Sequence, residues 1–302
     1  MRRMSKSAVR VAREALVAGR AALPEYASPY SRKDYTQPQL FALLVLRQFL
    51  RVDYRGVMAL VAEWSELRRT LGLAKVPHYS TLAHASRRIL ADAEAGGFHW
   101  RPDCHGPACP SRGLIDTAPV VAVDATGLET RHVSAHFGQR RSKGKGHRQR
   151  AWPKLTVVLH TGSHLLLGAV PGLGPSQESP DFTPAMRQAA ERVAIDTALG
   201  DAGYDAEHNH RLCRDDLGVR QTVIRLNRRN TGRRWPKTPY RRAMRYRFPK
   251  PLYHQRWHVE SGFSQHKRRL GSALTARNTA SQNRELVLRV LTHNLMLLAE
   301  AA

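Results

Sequence analysis

The chain has 302 residues, 42% of them hydrophobic, enough to bury a sizeable core and to exclude global disorder. Lys and Arg number 49 against 24 Asp and Glu, and the net charge of +25 makes a polyanion, with nucleic acid first, the expected partner. No apolar run approaches the roughly 18 residues of a membrane span, and the basic N-terminus, interrupted by Glu14, lacks the apolar stretch of a signal peptide, so an intracellular protein with no membrane partner is expected.

Residues 1–95 read as helical. Leu40, Leu43, Leu44, Leu46 and Leu50 share an amphipathic segment opened by Thr36 and Pro38. A second helix is expected from Arg55 to Leu71, stopped by Gly72. Ser80 is positioned to cap a third, running to about Ala93 and carrying His84, Arg87 and Arg88. A short helix, a turn and a basic helix suit helix-turn-helix DNA binding, with Arg87 and Arg88 toward the DNA; plain helical packing gives the same pattern. Residues 96–117, rich in Gly, Pro and Cys, read as a linker. Three cysteines, Cys104, Cys109 and Cys213, are too few for a disulfide scaffold, and His99, Cys104, His105 and Cys109 match no common zinc spacing.

The texture changes at residue 118. Pro119–Val123 reads as a buried strand ending on Asp124. Residues 152–160 and 164–170 read as two more strands, 181–193 as a helix, 197–200 as a strand ending on Asp201, 208–216 as a helix and 220–226 as a strand. Strands followed by alternating helix and strand predict an α/β domain with a mixed sheet over 118–302. Two carboxylates at the ends of neighbouring strands can converge, since open α/β sheets place their sites at strand termini. A single Asp after a strand is more often a turn residue.

The third element is more specific. Behind Pro251, the residues Tyr253, Arg256, Glu260 and Lys267 are spaced 3, 4 and 7 apart, the spacing of one stripe on a helix, with Trp257 and Phe263 to the side to pack against the sheet. Such a face presents a hydroxyl, a carboxylate and two cations suited to phosphate. Between Asp216 and Glu260 there is no acidic residue, and the interval holds Arg233, Arg234, Arg241 and Arg242 among other basic residues and aromatics. This basic loop, 226–250, suits a nucleic-acid backbone, and a second one, 131–150, is expected to order on DNA.

The Tyr-x2-Arg-x3-Glu-x6-Lys set resembles, without gaps, the signature around the catalytic Glu of DDE transposases of insertion-sequence families four and five. Val121–Leu128 is similar to the family's first catalytic strand and Gly200–Tyr204 to its second Asp motif; the resemblance covers roughly 119–302. It implies an RNase H-like fold and a triad of Asp124, Asp201 and Glu260 holding two Mg²⁺ ions, for which Mn²⁺ substitutes, with Asp124 bridging both. It also implies Tyr253, Arg256 and Lys267 on the DNA end, and cleavage at element ends followed by strand transfer. The implied partners are terminal inverted repeats and target double-stranded DNA, bound by a homodimer on paired ends. The implied place is the prokaryotic cytoplasm at the nucleoid. The 59 positions from Asp201 to Glu260 leave no room for the long β-rich insertion of some relatives. Two rival readings stay open: an RNase H-like nuclease that cuts without joining, and a retired transposase that only binds DNA.

Overall fold

The computed structural model describes residues 3–91, 113–130, 151–176, 179–227 and 236–302. The residues 99–109 considered for zinc, the basic loop 131–150, Arg233 and Arg234 lie outside these described residues. By compactness the chain forms two units: one of Met1–Leu114, His266–Gly271 and Asn283–Ala302, the other of Ile115–Gln265 and Ser272–Gln282.

The first unit is helical. Helix α1 (Ala8–Ala22) buries Ala8, Val11, Ala12, Ala15, Leu16 and Gly19, a stripe of helical period. Gly19 admits a close crossing, since a Cβ there would stand 3.0 Å from the Pro38 Cα of α2 (Gln37–Leu50). Thr36 and Gln39 close a capping box on α2, the start that Thr36 and Pro38 announce in the sequence. The helix expected over Arg55–Leu71 is two, α3 (Tyr54–Glu63) and α4 (Ser65–Leu71), broken at Trp64 and ended at Gly72 with φ 62°. Helix α5 (Tyr79–Ile89) starts one residue before Ser80, whose hydroxyl instead meets His78 Nδ1 at 2.8 Å. The expected catalytic domain runs to residue 302, yet most of the last helix groups with these N-terminal ones. The reason is contact along its length: Ser5 N–H donates to Met296 O and Arg10 pairs with Glu300 at 3.6 Å.

The second unit is built on a sheet. Its strands are β1 (Val120–Gly127), β3 (Trp152–His160), β4 (Leu166–Gly174), β5 (Thr197–Gly200) and β6 (Gln221–Ile224), in the order β4-β3-β1-β5-β6. A two-residue β2 (Glu129–Thr130) pairs separately with β7 (Ala273–Leu274). β4, β3 and β1 form an antiparallel meander, and β5 and β6 run parallel to β1. Helix α6 (Ser179–Ala190) makes the crossover to β5 and packs so closely on β4 that a Cβ on Gly168 would overlap the Ala185 carbonyl. α7 (Glu207–Arg211), continued by a π turn over Leu212–Asp216, makes the next crossover. β3 is buried from Pro153 onward and β1 over Val121–Val123, as apolar runs covered on both faces require. This is the RNase H-like α/β fold, a mixed five-stranded sheet flanked by helices, in a chain that also has an N-terminal helical region.

The basic segment expected as a loop carries a helix, α8 (Pro239–Tyr246), because acidic side chains elsewhere in the unit cap and anchor it. The single helix expected around Glu260 is α9 (Lys250–His254) and α10 (Trp257–Leu270), separated at Gln255–Arg256. Tyr253 therefore lies on a different helix from Glu260. The last helix is α11 (Thr279–Ala301).

Candidate active site

β1 outruns its parallel neighbour. The β1–β5 register ends at Val123↔Gly200, so Asp124 and Asp201 are the next residue of each strand. Asp124 is not past the end of its own strand, as expected from sequence; it still pairs with Val157 of β3. Its carboxylate Oδ1 accepts from the Ala125 N–H at 2.9 Å. Asp201 stands where β5 has ended and accepts the Gly203 N–H at 2.8 Å, closing the turn Ala202–Tyr204. The run of Val, Ala and Leu before each Asp makes a buried strand, and the register of the two strands delivers both carboxylates to the same end of the sheet.

Glu260 reaches the same place from α10. Val259, Gly262 and Phe263 are buried on the helix side facing the sheet. Gly262 permits the approach: a Cβ there would overlap Leu159 Cδ1 of β3. Glu260, on the other side, keeps 61% of its side chain exposed. Trp257 does not pack on the sheet as expected; it is 53% exposed and stacks on His258 with ring centroids 4.0 Å apart.

Arg256 joins these elements. Its Nη1 donates to Asp124 Oδ2 at 3.2 Å and its Nη2 to Glu260 Oε1 at 2.7 Å. Burial pushes the Asp124 carboxyl above its usual range; the Ala125 N–H and Arg256 pull it back, and the negative charges of Asp201 and Glu260 push it further up. For Arg256, burial opposes the charge but Asp124, Tyr253, Glu260 and Asp201 outweigh it, and the guanidinium is held more firmly protonated. Tyr253 is half-buried; burial first, and then Asp201, raise its hydroxyl above the usual value against Arg256 and Arg225. All these residues belong to the second unit; Arg256 bonds Asp124 and Glu260, and the charge of Asp201 bears on Asp124, Arg256 and Tyr253.

The donor set fits a hard divalent cation: every acidic partner is a carboxylate, none is a thiolate, and a positive group already stands between two of them. Among the described residues no group of three or more His, Cys, Asp or Glu is gathered closely enough to chelate one ion by itself. In this conformation the guanidinium is the cation that Asp124 and Glu260 share.

The other expected residues fall into distinct settings. Lys267 is half-buried in the last turn of α10, seven residues beyond Glu260. Arg242 is exposed on α8, 5.9 Å from the Tyr246 ring. Arg241, expected in a polar loop, has only 20% of its side chain exposed and forms a two-toothed ion pair with Asp205, at 2.8 Å for each bond. A buried carboxylate requires such a partner. Arg87 is exposed on α5, whereas Arg88 directs Nε and Nη2 to Gln37 Oε1 at 3.2 and 2.9 Å. Sequence reasoning passes over Asp205 and Glu207, although both follow directly on the Gly200–Tyr204 motif; nothing in their spacing shows that they anchor a segment 36 residues away.

An RNase H-like sheet thus carries Asp124 and Asp201 at matching positions of two adjacent parallel strands, and a helix brings Glu260 to the same guanidinium as Asp124. Residues 116–295 match the family model of the transposase DDE domain, more than half the chain, and the chain belongs to that family. No curated protein matches the chain.

Proposed function

We propose that this chain is a DNA transposase that cleaves the ends of an insertion element and joins them to target DNA, using Asp124, Asp201 and Glu260 as metal ligands. The observation that carries the reading is that Arg256 bonds both Asp124 and Glu260, while Asp201 follows the parallel strand next to Asp124, all within the residues that match the family domain. Two divalent ions, Mg²⁺ with Mn²⁺ as substitute, would supply activation of a water or 3′-hydroxyl and charge neutralisation at the leaving oxygen of an in-line phosphoryl transfer.

The chain's own groups prepare that chemistry. The Ala125 N–H and Gly203 N–H fix one oxygen each of Asp124 and Asp201, and the other oxygen of Asp124 meets Arg256. Arg256 offers a planar fork that matches phosphate as well as carboxylate, so it can pass from Asp124 to the DNA end. Tyr253 and Lys267 are assigned to the same DNA end. The exposed Arg242, the basic residues Arg233 and Arg234, and Arg87 on α5 are assigned to duplex phosphates. The N-terminal helices are assigned to terminal-repeat binding, in a homodimer on paired ends at the nucleoid.

The test uses duplexes carrying the DNA that flanks the gene on either side. Mg²⁺-dependent nicking is expected, lost in Asp124→Asn, Asp201→Asn and Glu260→Gln, and a pre-cleaved end should be joined to plasmid. Full nicking in excess chelator, or an active Glu260→Gln, overturns the metal assignment. Nicking with no joined product under Mg²⁺ or Mn²⁺ gives the chain to the hydrolytic nucleases instead.

A further inference from the structure

The row of parallel strands does not stop at the two carboxylates. Gly200 pairs with Val123 on one side and with Ile224 on the other, so the next residues of the three strands are Asp124, Asp201 and Arg225, in sheet order. The Arg225 N–H carries the ladder one step further by donating to Gly200 O at 3.4 Å. Neighbouring strands lie about 5 Å apart, so the Arg225 backbone stands one such spacing from Asp201 and two from Asp124. A guanidinium thus ends the row that two carboxylates begin, on β6, the last strand of the sheet.

The backbone that carries Arg225 is pinned on both sides. The bond to Gly200 holds it to β5, and two residues on, the Asn227 N–H donates to Oδ2 of the buried Asp205 at 2.8 Å. Asp205 in turn takes the Arg241 fork. Between these anchors the Arg225 side chain is exposed. Its charge bears on Tyr253: burial raises the Tyr253 hydroxyl, Arg256 opposes that, Asp201 adds to it and Arg225 opposes it again. Arg225 therefore shares Tyr253 with Asp201 and Arg256.

An exposed arginine at a strand end is ordinarily a solvated surface charge. Other arginines of this unit have carboxylates of their own: Arg256 has Asp124 and Glu260, Arg241 has Asp205 and Arg220 has Asp196. Among the described residues no carboxylate lies within ion-pair distance of Arg225. A guanidinium fixed at its base, beside carboxylates and paired with none of them, presents its planar fork to an anion from outside, and the fork matches the oxygens of a phosphodiester.

We propose that Arg225 is a further DNA-contacting residue: it binds a phosphodiester of the DNA strand that lies across the carboxylates, on the β6 side of Asp201. The proposal rests on the DNA-processing reading above and adds a direction to it, since the bound strand then runs along the row from Asp124 past Asp201 to Arg225.

The test measures binding of the full-length chain to a duplex carrying the DNA that flanks the gene, by fluorescence anisotropy across a salt series, in excess chelator so that no strand is cut. Arg225→Gln should weaken binding about tenfold, as loss of a charge-assisted contact does. The slope of log affinity against log salt should fall by about 0.9, the share of one phosphate. Arg225→Lys keeps the charge and should keep the slope. A neutral methylphosphonate placed at one linkage after another locates the contact: at one linkage it should weaken the wild type and leave Arg225→Gln unaffected. An unchanged slope in Arg225→Gln, a slope lost equally in Arg225→Lys, or no linkage at which the two effects overlap overturns the proposal. Because the side chain is exposed, both variants should unfold at the wild-type temperature; a lowered midpoint in both makes Arg225 a structural residue and overturns it too. A wild-type chain whose duplex affinity does not vary with salt overturns the DNA reading and the proposal together, whereas a failure confined to Arg225 leaves that reading standing.

Discussion

Replacing Arg256 by Ala removes the cation shared by Asp124 and Glu260, and the two legs of that bridge differ in weight. Glu260 has 61% of its side chain exposed, so its pair with Arg256 contributes little, as exposed ion pairs do. Asp124 and Arg256 have side chains only 17% and 21% exposed, so their bond is the one that matters. A hydrogen bond to a largely shielded charge is worth about 1.5–3 kcal/mol, and its loss leaves Asp124 facing Asp201 and Glu260 without compensation. Arg256→Ala should therefore lower the unfolding free energy by about 2 kcal/mol at neutral pH.

The sign of the pH dependence is distinctive. The Asp124 carboxyl is already raised by burial, and removing Arg256 raises it further. A carboxyl raised in the folded state loses stability as pH climbs from its unfolded value through its folded one. The penalty of Arg256→Ala should thus shrink as the solution is acidified and Asp124 takes up a proton. Added Mg²⁺ should return more stability to the variant than to the wild type, because the vacated position then needs a cation. Urea denaturation in acid and at neutral pH, with and without Mg²⁺, measures all of this. An Arg256→Ala protein as stable as wild type at neutral pH, or a penalty that grows on acidification, refutes the reasoning.

Burial pushes the His210 imidazole from 6.5 down to about 4, against the raising influence of Glu207 and Asp205, while its Nδ1 meets Thr222 Oγ1 at 2.7 Å. Between those values the unfolded chain takes a proton that the folded chain refuses, so stability present above 6.5 is lost on acidification, by about 3 kcal/mol near pH 4. His210→Gln should flatten the pH dependence of the unfolding free energy by that amount, and an unchanged profile would rule this out. Gly262→Ala places a methyl into Leu159 and should cost about 1–3 kcal/mol by overpacking while displacing Glu260, whereas Ser261→Ala, in the same helical turn, should cost far less. Equal denaturation midpoints for the two variants would show that α10 does not ride on that glycine.

Much of this architecture is legible residue by residue. The apolar runs before Asp124 and Asp201 are strands because continuous burial on both faces demands them, and Thr36 caps α2 because its hydroxyl meets the Gln39 N–H. The Arg256–Glu260 pair also follows from spacing alone, being one helical turn apart. The break between α9 and α10 is hidden in the sequence, since the stripe of Tyr253, Arg256 and Glu260 reads equally well on one continuous helix. The outward position of Trp257 is hidden for the same reason: a turn-like joint rotates it to 53% exposure.

What the amino-acid sequence determined by itself is therefore local: where chain must be buried, where it must turn, and which residue types stand at helical or strand spacing, since these depend on neighbours within a few positions. The tertiary structure alone decided which distant charges meet. Arg256 bonds Asp124 across 132 positions, and Arg241 bonds Asp205 across 36. Two basic residues that look alike along the chain differ in the fold, Arg241 closing a buried ion pair and Arg242 facing solvent. The physical reason is that a buried carboxylate takes whichever cation the packing brings within about 3 Å, and packing is a property of the whole chain.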